Sequence, residues 1–260
     1  MISLDEDTEA DEVEVDEEQV EERVSEGDIW QLGRHRLICG DSTDKATIDR
    51  LTAGARINLV LTDPPYGVNA VNDSGTVVGY GKKHLAKRGV YKEIIGDNTT
   101  DTAQAAYKVL KAVCDRMIIF GGNYFLSFLP LSDGWVIWDK RGESGEQMRN
   151  NFADGEMAWC SFHTPVRIYH QLWNGMIRQG EHDKRVHPTQ KPVKMLGEII
   201  ADFTRAGDNV LDVFGGSGST LMACEQLGRQ CYMCELDPYY CDVIIARYEA
   251  LTGNKAIKEV

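Results

Sequence analysis

The stretch "NVLDVFGGSGST", residues 209–220, passes from an apolar run to glycines at positions 215, 216 and 218, and then into the helical pattern "TLMACEQLG". It lacks the lysine of a Walker A loop and the spacing of GxGxxG, so the loop alone is also compatible with a tight turn. Glu235 lies 19 residues after Gly216 and ends the next apolar run, where an acid can hydrogen-bond ribose hydroxyls. The pattern therefore predicts a nucleoside-bearing cofactor at the carboxyl edge of a sheet.

A second run, "INLVLTDPPYG" (residues 57–67), also passes from an apolar strand to a rigid turn. Pro64 and Pro65 exclude a helix there and leave two backbone positions without an N–H. A structural turn with a buried aromatic is one interpretation. Ligands of open α/β sheets bind at the carboxyl ends of the strands. Asp63 and the glycine loop are therefore predicted to face one crevice, although about 150 residues of chain separate them.

Strands and helices alternate along the chain, which predicts an α/β fold with a mostly parallel sheet and helices on both faces. Pro192 is expected in the first turn of the third helix and Gly207 as its C-cap. Two irregular segments rich in basic residues, 67–96 and 141–186, are expected to carry function. Strands are predicted in "HRLICGD", "INLVLTD", "RMIIFGG", "GWVIWDK", "EMAWCSF", "NVLDVFGG" and "QCYMCELD", and helices in "STDKATIDRLTAG", "DTAQAAYKVLKAVC", "KPVKMLGEIIADFTRAG", "TLMACEQLG" and "PYYCDVIIARYEALTG".

The net charge of the chain is concentrated at its N-terminus. Residues 1–26 hold 13 acids and one base, Arg23, and so account for −12 of the total of −13. We predict a disordered or loosely helical acidic arm over residues 1–26 and a folded domain over residues 27–260. Because the remainder carries only −1, its charge does not exclude a nucleic-acid partner.

The seven cysteines include one pair with metal-ligand spacing, Cys231 and Cys234 in "CYMC". This pair falls in a predicted strand, where residues three apart point to opposite faces, so no metal site is predicted. All seven are expected to be buried, reduced thiols of an intracellular protein. No apolar run approaches the roughly 18 residues of a membrane span, and the acidic N-terminus is unlike a signal peptide.

Taken together, "DPPY" and "DVFGGSGST" resemble the motifs of S-adenosylmethionine-dependent DNA amino-methyltransferases, which modify adenine N6 or cytosine N4. The order, with DPPY first, resembles the permuted β group of bacterial and phage enzymes, and "HPTQKP" (residues 187–192) resembles its third cofactor segment. "GWVIWDK", "GEMAWCSF" and "IWQLGRHRLICGDSTD" are similar to further family segments. The resemblance covers roughly residues 28–252. It implies a Rossmann-like methyltransferase sheet with circularly permuted motif order and small inserted recognition segments.

The resemblance also implies roles for individual residues. In the catalytic segment Asp63, Pro64, Pro65 and Tyr66, the carboxylate and backbone carbonyls accept hydrogen bonds from an exocyclic amino group, and the tyrosine stacks on a base flipped out of the duplex. The DPPY form favours adenine N6, with cytosine N4 as the alternative. The residues implied in binding S-adenosyl-L-methionine are Asp41, Ser42, Asp63, Thr189, Lys191, Asp212, Phe214, Gly215, Gly216, Ser217, Gly218, Glu235 and Leu236.

Three acids also have a structural interpretation. Asp41 could cap a helix instead of meeting the adenine of the cofactor, and Asp212 could fix the glycine loop instead of meeting the ligand. Asp237, which precedes Pro238, is expected to cap the last helix rather than to bind ribose.

Double-stranded DNA is the implied partner, held mainly through its phosphates. Loop 67–96 is expected to close over the flipped base, and residues 141–186 are expected to recognise the target. Because this recognition segment is short, a short site, relaxed specificity or a homodimer all stay open. The implied location is the cytoplasm of a bacterium or phage-infected cell, at the DNA. Candidate phosphate contacts are Lys82, Lys83, Lys87, Arg88, Arg141, Arg178, Lys184 and Arg185.

Two other classes of function stay open. Related "PPY" sequences occur in enzymes that methylate RNA or protein amides, so the motif alone does not select DNA. A binding module without activity, using the acidic arm, is a further alternative. The intact DPPY segment and the intact glycine loop favour an enzyme over such a module.

Overall fold

A computed structural model of the protein describes residue 15 and residues 20–68, 96–141, 153–174, 177–178 and 190–259. A short 3-10 helix, Gly122–Tyr124, follows the fourth strand. The strands are β1 (Ile29–Leu32), β2 (His35–Cys39), β3 (Leu59–Thr62), β4 (Met117–Phe120), β5 (Trp135–Asp139), β6 (Gly155–Cys160), β7 (Arg167–His170), β8 (Trp173–Asn174), β9 (Ile177–Arg178), β10 (Asn209–Asp212), β11 (Gln230–Glu235) and β12 (Ile257–Lys258). The helices are α1 (Lys45–Thr52), α2 (Asp101–Leu110), α3 (Val193–Phe203), α4 (Ser219–Gln226) and α5 (Pro238–Thr252).

Within the described residues, ten strands form one sheet in the order β12-β1-β2-β11-β10-β3-β4-β6-β5-β7. The five central strands, from β2 to β4 in this order, are parallel to one another. The neighbours of this core reverse direction, since β1 is antiparallel to β2 and β6 is antiparallel to both β4 and β5. The predicted mostly parallel sheet is therefore confirmed for the centre, with antiparallel additions on both sides.

Alternate residues of the central strands enter two apolar layers, as a strand buried on both faces requires. Leu59 and Leu61 of β3 pack in the layer that also holds α3, α4 and α5, whereas Val60 packs in the layer of α1 and α2. The same alternation separates Cys231 from Cys234 on β11, which confirms that the two thiols face opposite sides. All seven cysteines are buried free thiols, as predicted.

Two expectations about single elements were wrong. Helix α3 ends with Thr204 in an extended conformation, so Gly207 belongs to the following turn and is not its C-cap. Residues 141–186 are also less irregular than expected, because β7 within them pairs with β5 in the main sheet.

The N-terminal arm meets the folded body earlier than the predicted boundary at residue 26. Val24 is buried in the apolar layer of α5, and the backbone N–H groups of Arg23 and Val24 donate to Asp242 Oδ1 at 3.0 and 3.2 Å. The guanidinium of Arg23 also forms an ion pair with Glu249 at 3.1 Å. Residues 23 and 24 therefore belong to the folded domain. None of the helices in the described part of the chain combines the length and the apolarity that crossing a membrane requires.

Candidate active site

The predicted site residues follow neighbouring strands at one edge of the sheet. Asp41 follows β2, Glu235 ends β11, Asp212 ends β10 and Asp63 follows β3, and these four strands are consecutive and parallel. Gly40 N–H donates to the Glu235 carbonyl at 2.9 Å, which closes the edge between β2 and β11. The prediction that the DPPY segment and the glycine loop lie at one edge is therefore confirmed.

Asp212 links the two motifs directly. Its Oδ1 accepts hydrogen bonds from Thr62 Oγ1 at 2.8 Å and from Phe214 N–H at 3.1 Å. Burial raises the pKa of this carboxyl to about 6, although hydrogen bonds from Thr220, Thr62 and Phe214 oppose the rise. Asp212 thus fixes the glycine loop against the strand that precedes DPPY, which is the structural role that the sequence left open.

The glycine loop is tied to the next strand through Glu235. One carboxylate oxygen of Glu235 accepts Gly216 N–H at 2.7 Å and the other accepts Asp237 N–H at 2.9 Å. Burial raises the pKa of Glu235 to about 7 despite these donors. Gly218 is the N-cap of α4 and has φ 84°, a conformation that favours glycine, and a Cβ there would make a tight contact of 3.0 Å with Ile244 Cγ1.

Asp41, after β2, and Asp237, before α5, have different surroundings. Asp41 is exposed and its Oδ1 accepts bonds from the N–H and hydroxyl of Thr43 at 2.8 and 2.7 Å. The N-cap of α1 is Asp44 instead, so the capping interpretation of Asp41 was wrong. Asp237 accepts Tyr239 N–H at 2.9 Å and caps α5, which confirms the prediction.

The DPPY segment places a carboxylate and a phenol in direct contact. The Tyr66 hydroxyl donates to Asp63 Oδ1 at 2.6 Å, and the Lys191 ammonium donates to Asp63 Oδ2 at 2.5 Å. Gly67 N–H donates to buried Asp97 Oδ1 at 2.8 Å, which anchors the end of the turn. Lys191 was expected to contact the cofactor, and in this structure it lies against the Asp63 carboxylate.

Four charged side chains form what we call the charge cluster, namely Asp63, Lys191, Glu156 and Lys140. Lys191 Nζ lies 3.1 Å from Glu156 Oε2, and the other Glu156 oxygen pairs with Lys140. Each side chain is at most 21% exposed. Burial raises the pKa of Asp63, with a further rise from Glu156, while Lys191 and Tyr66 lower it. Burial also opposes ionisation of Glu156, but Lys191 and Lys140 outweigh it and bring its pKa to about 2.

An aromatic group surrounds the ring of Tyr66. Tyr124 stacks on it with ring centroids 5.1 Å apart and an interplanar angle of 15°, and Phe125 meets it edge-on at 6.1 Å. Tyr124 is 46% exposed, so the stack lies at the surface. Gly121 lies against the same ring, and a Cβ there would clash with it. The lack of a side chain at Gly121 therefore leaves space for the Tyr66 ring against the backbone.

The remaining predicted site residues lie in several different environments. Ser42 and Ser217 are buried, Leu236 is 39% exposed, and Phe214 and Pro64 line one apolar cleft beside α2. Arg141, a predicted DNA contact, forms a two-pronged ion pair with Asp139 at 2.9 and 2.8 Å. Only the backbone of Arg178, in β9, is described. Lys82, Lys83, Lys87, Arg88, Lys184, Arg185 and Thr189 lie outside the described residues.

Sequence reasoning missed Glu156, Lys140 and Tyr124. Glu156 is the one acid in the otherwise apolar and aromatic strand β6, and Lys140 directly follows the apolar strand β5. A charge in such a position is a usable signal, since buried charges are rare unless they are paired. What the sequence could not show is that the two strands are neighbours and that both reach the edge that carries DPPY.

Comparison with known proteins agrees with this geometry. A family model for the N6/N4 enzymes, described as DNA methylase, matches residues 161–247. M2.DpnII, a Type II methyltransferase of Streptococcus pneumoniae, is 36% identical over 227 residues, which cover 75% of this chain and 83% of that relative. The chain therefore belongs to the N6/N4 DNA methylase family.

Solved structures confirm the fold. The crystal structure of the M1.HpyAVI–SAM complex matches with a TM-score of 0.51 at 20% identity, covering 81% of this chain and 97% of that one. The cytosine-N4-specific PvuII DNA methyltransferase matches with a TM-score of 0.52 at 17% identity, covering 86% and 94%. The predicted Rossmann-like methyltransferase fold is therefore correct.

Proposed function

We propose that this protein transfers a methyl group from S-adenosyl-L-methionine to the exocyclic N6 amino group of adenine in double-stranded DNA. The observation that carries the proposal is the direct link between the two motifs. Thr62, which precedes DPPY, donates to Asp212, which precedes the glycine loop, at 2.8 Å. A group bound at the loop and an amino group held at Asp63 are thus neighbours. Membership of the DNA methylase family supports the same reaction.

The residues at this edge suit the proposed cofactor. Glu235 is a carboxylate beside glycine backbone, the arrangement that accepts ribose hydroxyls in dinucleotide-binding folds. Exposed Leu236 and partly buried Phe214 offer apolar surface for a nucleoside. Asp41 offers an exposed carboxylate to an amino group of the ligand at the end of β2. When bound, S-adenosylmethionine supplies an electrophilic methyl group on a sulfonium.

Asp63 provides the acceptor that an aromatic amino group needs. The nitrogen lone pair of adenine N6 is conjugated with the ring, so the nitrogen becomes nucleophilic only as it turns tetrahedral. An ionised carboxylate that accepts one N–H bond favours this change, and it acts best in a site that excludes water. Lys191 and Tyr66 favour the ionised form of Asp63, because their interactions oppose the rise in its pKa that burial causes, although the pKa stays above its ordinary value. Backbone carbonyls fixed by the two prolines are proposed to accept the second N–H.

Tyr66 is proposed to support the extruded base. A base stacked on an aromatic side chain gains roughly 1–3 kcal/mol, which offsets part of the few kcal/mol that base flipping costs. Tyr124 already covers one face of the Tyr66 ring. An incoming base must therefore use the opposite face or displace the exposed Tyr124.

Nucleoside mass spectrometry tests the proposed product. DNA from a methylation-free host that expresses the chain is digested, and the modified nucleosides are measured. N6-methyladenine as the main product is the expected result, whereas N4-methylcytosine alone would establish the alternative base. Parallel reactions with duplex DNA, RNA and protein and a labelled cofactor test the substrate class. Label in RNA or protein but not in DNA would overturn the proposal, and failure to bind the cofactor in calorimetry would favour a binding module.

The phosphate contacts are also proposed rather than observed. Arg141 is the one candidate whose side chain is described, and its ion pair with Asp139 competes with a phosphate. Charged contacts to DNA weaken steeply with salt, so replacing a true phosphate ligand reduces the salt dependence of binding. The change in slope for Arg141→Ala therefore measures its part in binding DNA.

A further inference from the structure

Lys191 is placed between two buried carboxylates. Its ammonium donates to Asp63 Oδ2 at 2.5 Å and lies 3.1 Å from Glu156 Oε2 and 3.5 Å from the Tyr66 hydroxyl oxygen. The three N–H bonds of an ammonium thus meet three acceptors. The Lys191 side chain is only 7% exposed, so water does little to replace any of them.

Glu156 is itself held from a second side. One of its oxygens pairs with Lys140, which follows β5, and the other lies 3.4 Å from the Tyr66 hydroxyl oxygen. The charge cluster therefore contains two acids and two bases, from four separate segments of the chain. Such a buried group is stable only as a whole, because removing one member leaves an uncompensated charge.

The position of Glu156 affects how the Lys191 ammonium binds the Asp63 carboxylate. An ammonium that faced Asp63 alone would be drawn fully onto that carboxylate and would compete for its lone pairs with any amino group. Glu156 attracts the same ammonium from 3.1 Å, while Asp63 lies closer to it, at 2.5 Å. The ammonium is therefore shared between the two carboxylates and still stays close enough to Asp63 to favour its ionised form.

We propose that Glu156 is a positioning residue for methyl transfer, which shares the Lys191 ammonium with Asp63 and so holds the Asp63 carboxylate oriented and still able to accept an N–H bond. This inference rests on the proposed function, because it assigns a role in the same transfer step. The described contacts of Glu156 are with Lys191, Lys140 and the Tyr66 hydroxyl, so it acts through its neighbours.

The charges that face Asp63 come from several elements, and each affects the pH at which it ionises. Glu156 raises its pKa, whereas Lys191 and the Tyr66 hydroxyl lower it. Asp212, at the end of β10, interacts with Asp63 as a like charge. Lys140 pairs with Glu156. Transfer requires ionised Asp63, so activity falls as the pH drops through its pKa.

The test is the pH profile of kcat for the full chain on duplex DNA, with Glu156→Gln, Glu156→Asp and Lys191→Met. Glu156→Gln removes a like charge near Asp63, so the acidic limb of the profile should move to lower pH. Lys191→Met removes the opposite charge, so the limb should move to higher pH. Glu156→Asp keeps the charge, and its limb should stay near the wild-type position even where kcat is reduced.

Two further measurements separate positioning from a merely structural role. Glu156→Gln is expected to lower kcat by roughly ten- to a hundredfold, as a small misplacement of a reacting group does, while the KM for S-adenosylmethionine is unchanged. Glu259→Gln is the matched control, because Glu259 pairs with Arg36 at 2.7 Å beside β12, at the far end of the sheet. It should show the wild-type profile.

The outcomes distinguish this inference from the proposed function. A wild-type chain that methylates no exocyclic amino group overturns the proposed function, and the inference with it. An active wild type whose acidic limb stays in place in both Glu156→Gln and Lys191→Met overturns the inference alone. Opposite shifts, in variants that still unfold cooperatively, support it.

Discussion

Glu235 offers the sharpest test of how burial and ligand binding are coupled at this site. Its carboxyl accepts two backbone N–H bonds, from Gly216 and Asp237, yet burial still raises its pKa to about 7. Glutamine resembles the protonated carboxyl in shape and in having one carbonyl oxygen. Glutamine cannot ionise, but its NH2 group cannot accept the second backbone N–H bond. The Glu235→Gln variant therefore carries a loss of stability that does not depend on pH, and the part of its difference from wild type that changes with pH reports the ionisation of Glu235.

The size of this difference follows from linkage. The folded pKa of about 7 lies above the ordinary value of 4.5, so the folded protein binds this proton more tightly than the unfolded chain. The resulting stabilisation is fully present below pH 4.5 and is lost as the pH rises through 7. At about 1.4 kcal/mol per pKa unit, the total is about 3 kcal/mol. For a chain of this length that corresponds to roughly 6–12 °C in Tm.

The assay is urea unfolding of the cofactor-free protein at pH 5 and pH 8 for wild type, Glu235→Gln and the control Glu259→Gln. Between these two pH values, the stability of Glu235→Gln relative to wild type should rise by about 2–3 kcal/mol. Other groups that titrate in this range, such as Asp212, are present in both proteins and cancel in the difference. A difference that does not change with pH would refute the assignment of a buried, hard-to-ionise carboxyl.

Calorimetry tests whether Glu235 also contributes to cofactor binding. If the ionised carboxylate binds the ribose, Glu235→Gln should bind S-adenosylmethionine more weakly than wild type at pH 8. An amide has only one acceptor oxygen to share between the backbone N–H groups and the ribose. Equal affinity in the two proteins would remove Glu235 from the proposed cofactor site.

Three further predictions concern other parts of the chain. Asp63→Asn keeps the shape of the side chain but loses its charge, so the rate of methyl transfer should fall by about 10²–10³-fold. Cofactor affinity in calorimetry should change little. Turnover near the wild-type rate would contradict the proposed role of Asp63 as acceptor. Deleting residues 1–22 should leave the Tm unchanged. Deleting residues 1–25 should lower the free energy of unfolding in urea by about 2 kcal/mol, because it removes the buried side chain of Val24. Equal stability of the two deletion variants would show that the contact of Val24 with the folded domain is marginal. Gly218→Ala should destabilise more than Gly207→Ala, since both glycines have φ 84° but only at the first would a Cβ make a tight contact, 3.0 Å from Ile244 Cγ1. Equal losses would mean that conformation alone matters.

The central fold follows from local patterns in the sequence. Short apolar strands that alternate with helices predict the five parallel strands, because strands buried on both faces read as continuous apolar runs. The outer strands are harder to predict. Strand β7, "RIYH", is short and exposes Arg167, Ile168 and His170, and β12 has two exposed residues. Such strands form because a sheet edge is available to them, which is a property of the tertiary structure.

The candidate site likewise contains residues whose position could be predicted from the sequence and residues whose position could not. Residues that directly follow a predicted parallel strand, such as Asp63 and Glu235, could be placed at one edge because the direction of the strand determines where its carboxyl end lies. Their partners could not be predicted. Lys191 was expected at the cofactor and lies against Asp63, since sequence spacing does not show which way a long side chain turns.

The charge cluster depends on the reversal of strand direction beyond β4. Strand β6 runs antiparallel to β4, and its register aligns Phe120 with Ala158, so Glu156 lies past the carboxyl end of β4. Strand β5 reverses again and ends at Asp139 opposite Gly155, which brings the following Lys140 to the same edge. A β6 strand parallel to β4 would have carried Glu156, which lies near its start, to the opposite edge of the sheet. Strand β5 runs in the same direction as β4, so the carboxyl end that precedes Lys140 lies at the same edge as the other carboxyl ends. The antiparallel strand β6 is therefore the element that adds Glu156 to an edge otherwise built from the carboxyl ends of parallel strands, and it explains why its role is visible only in the folded chain.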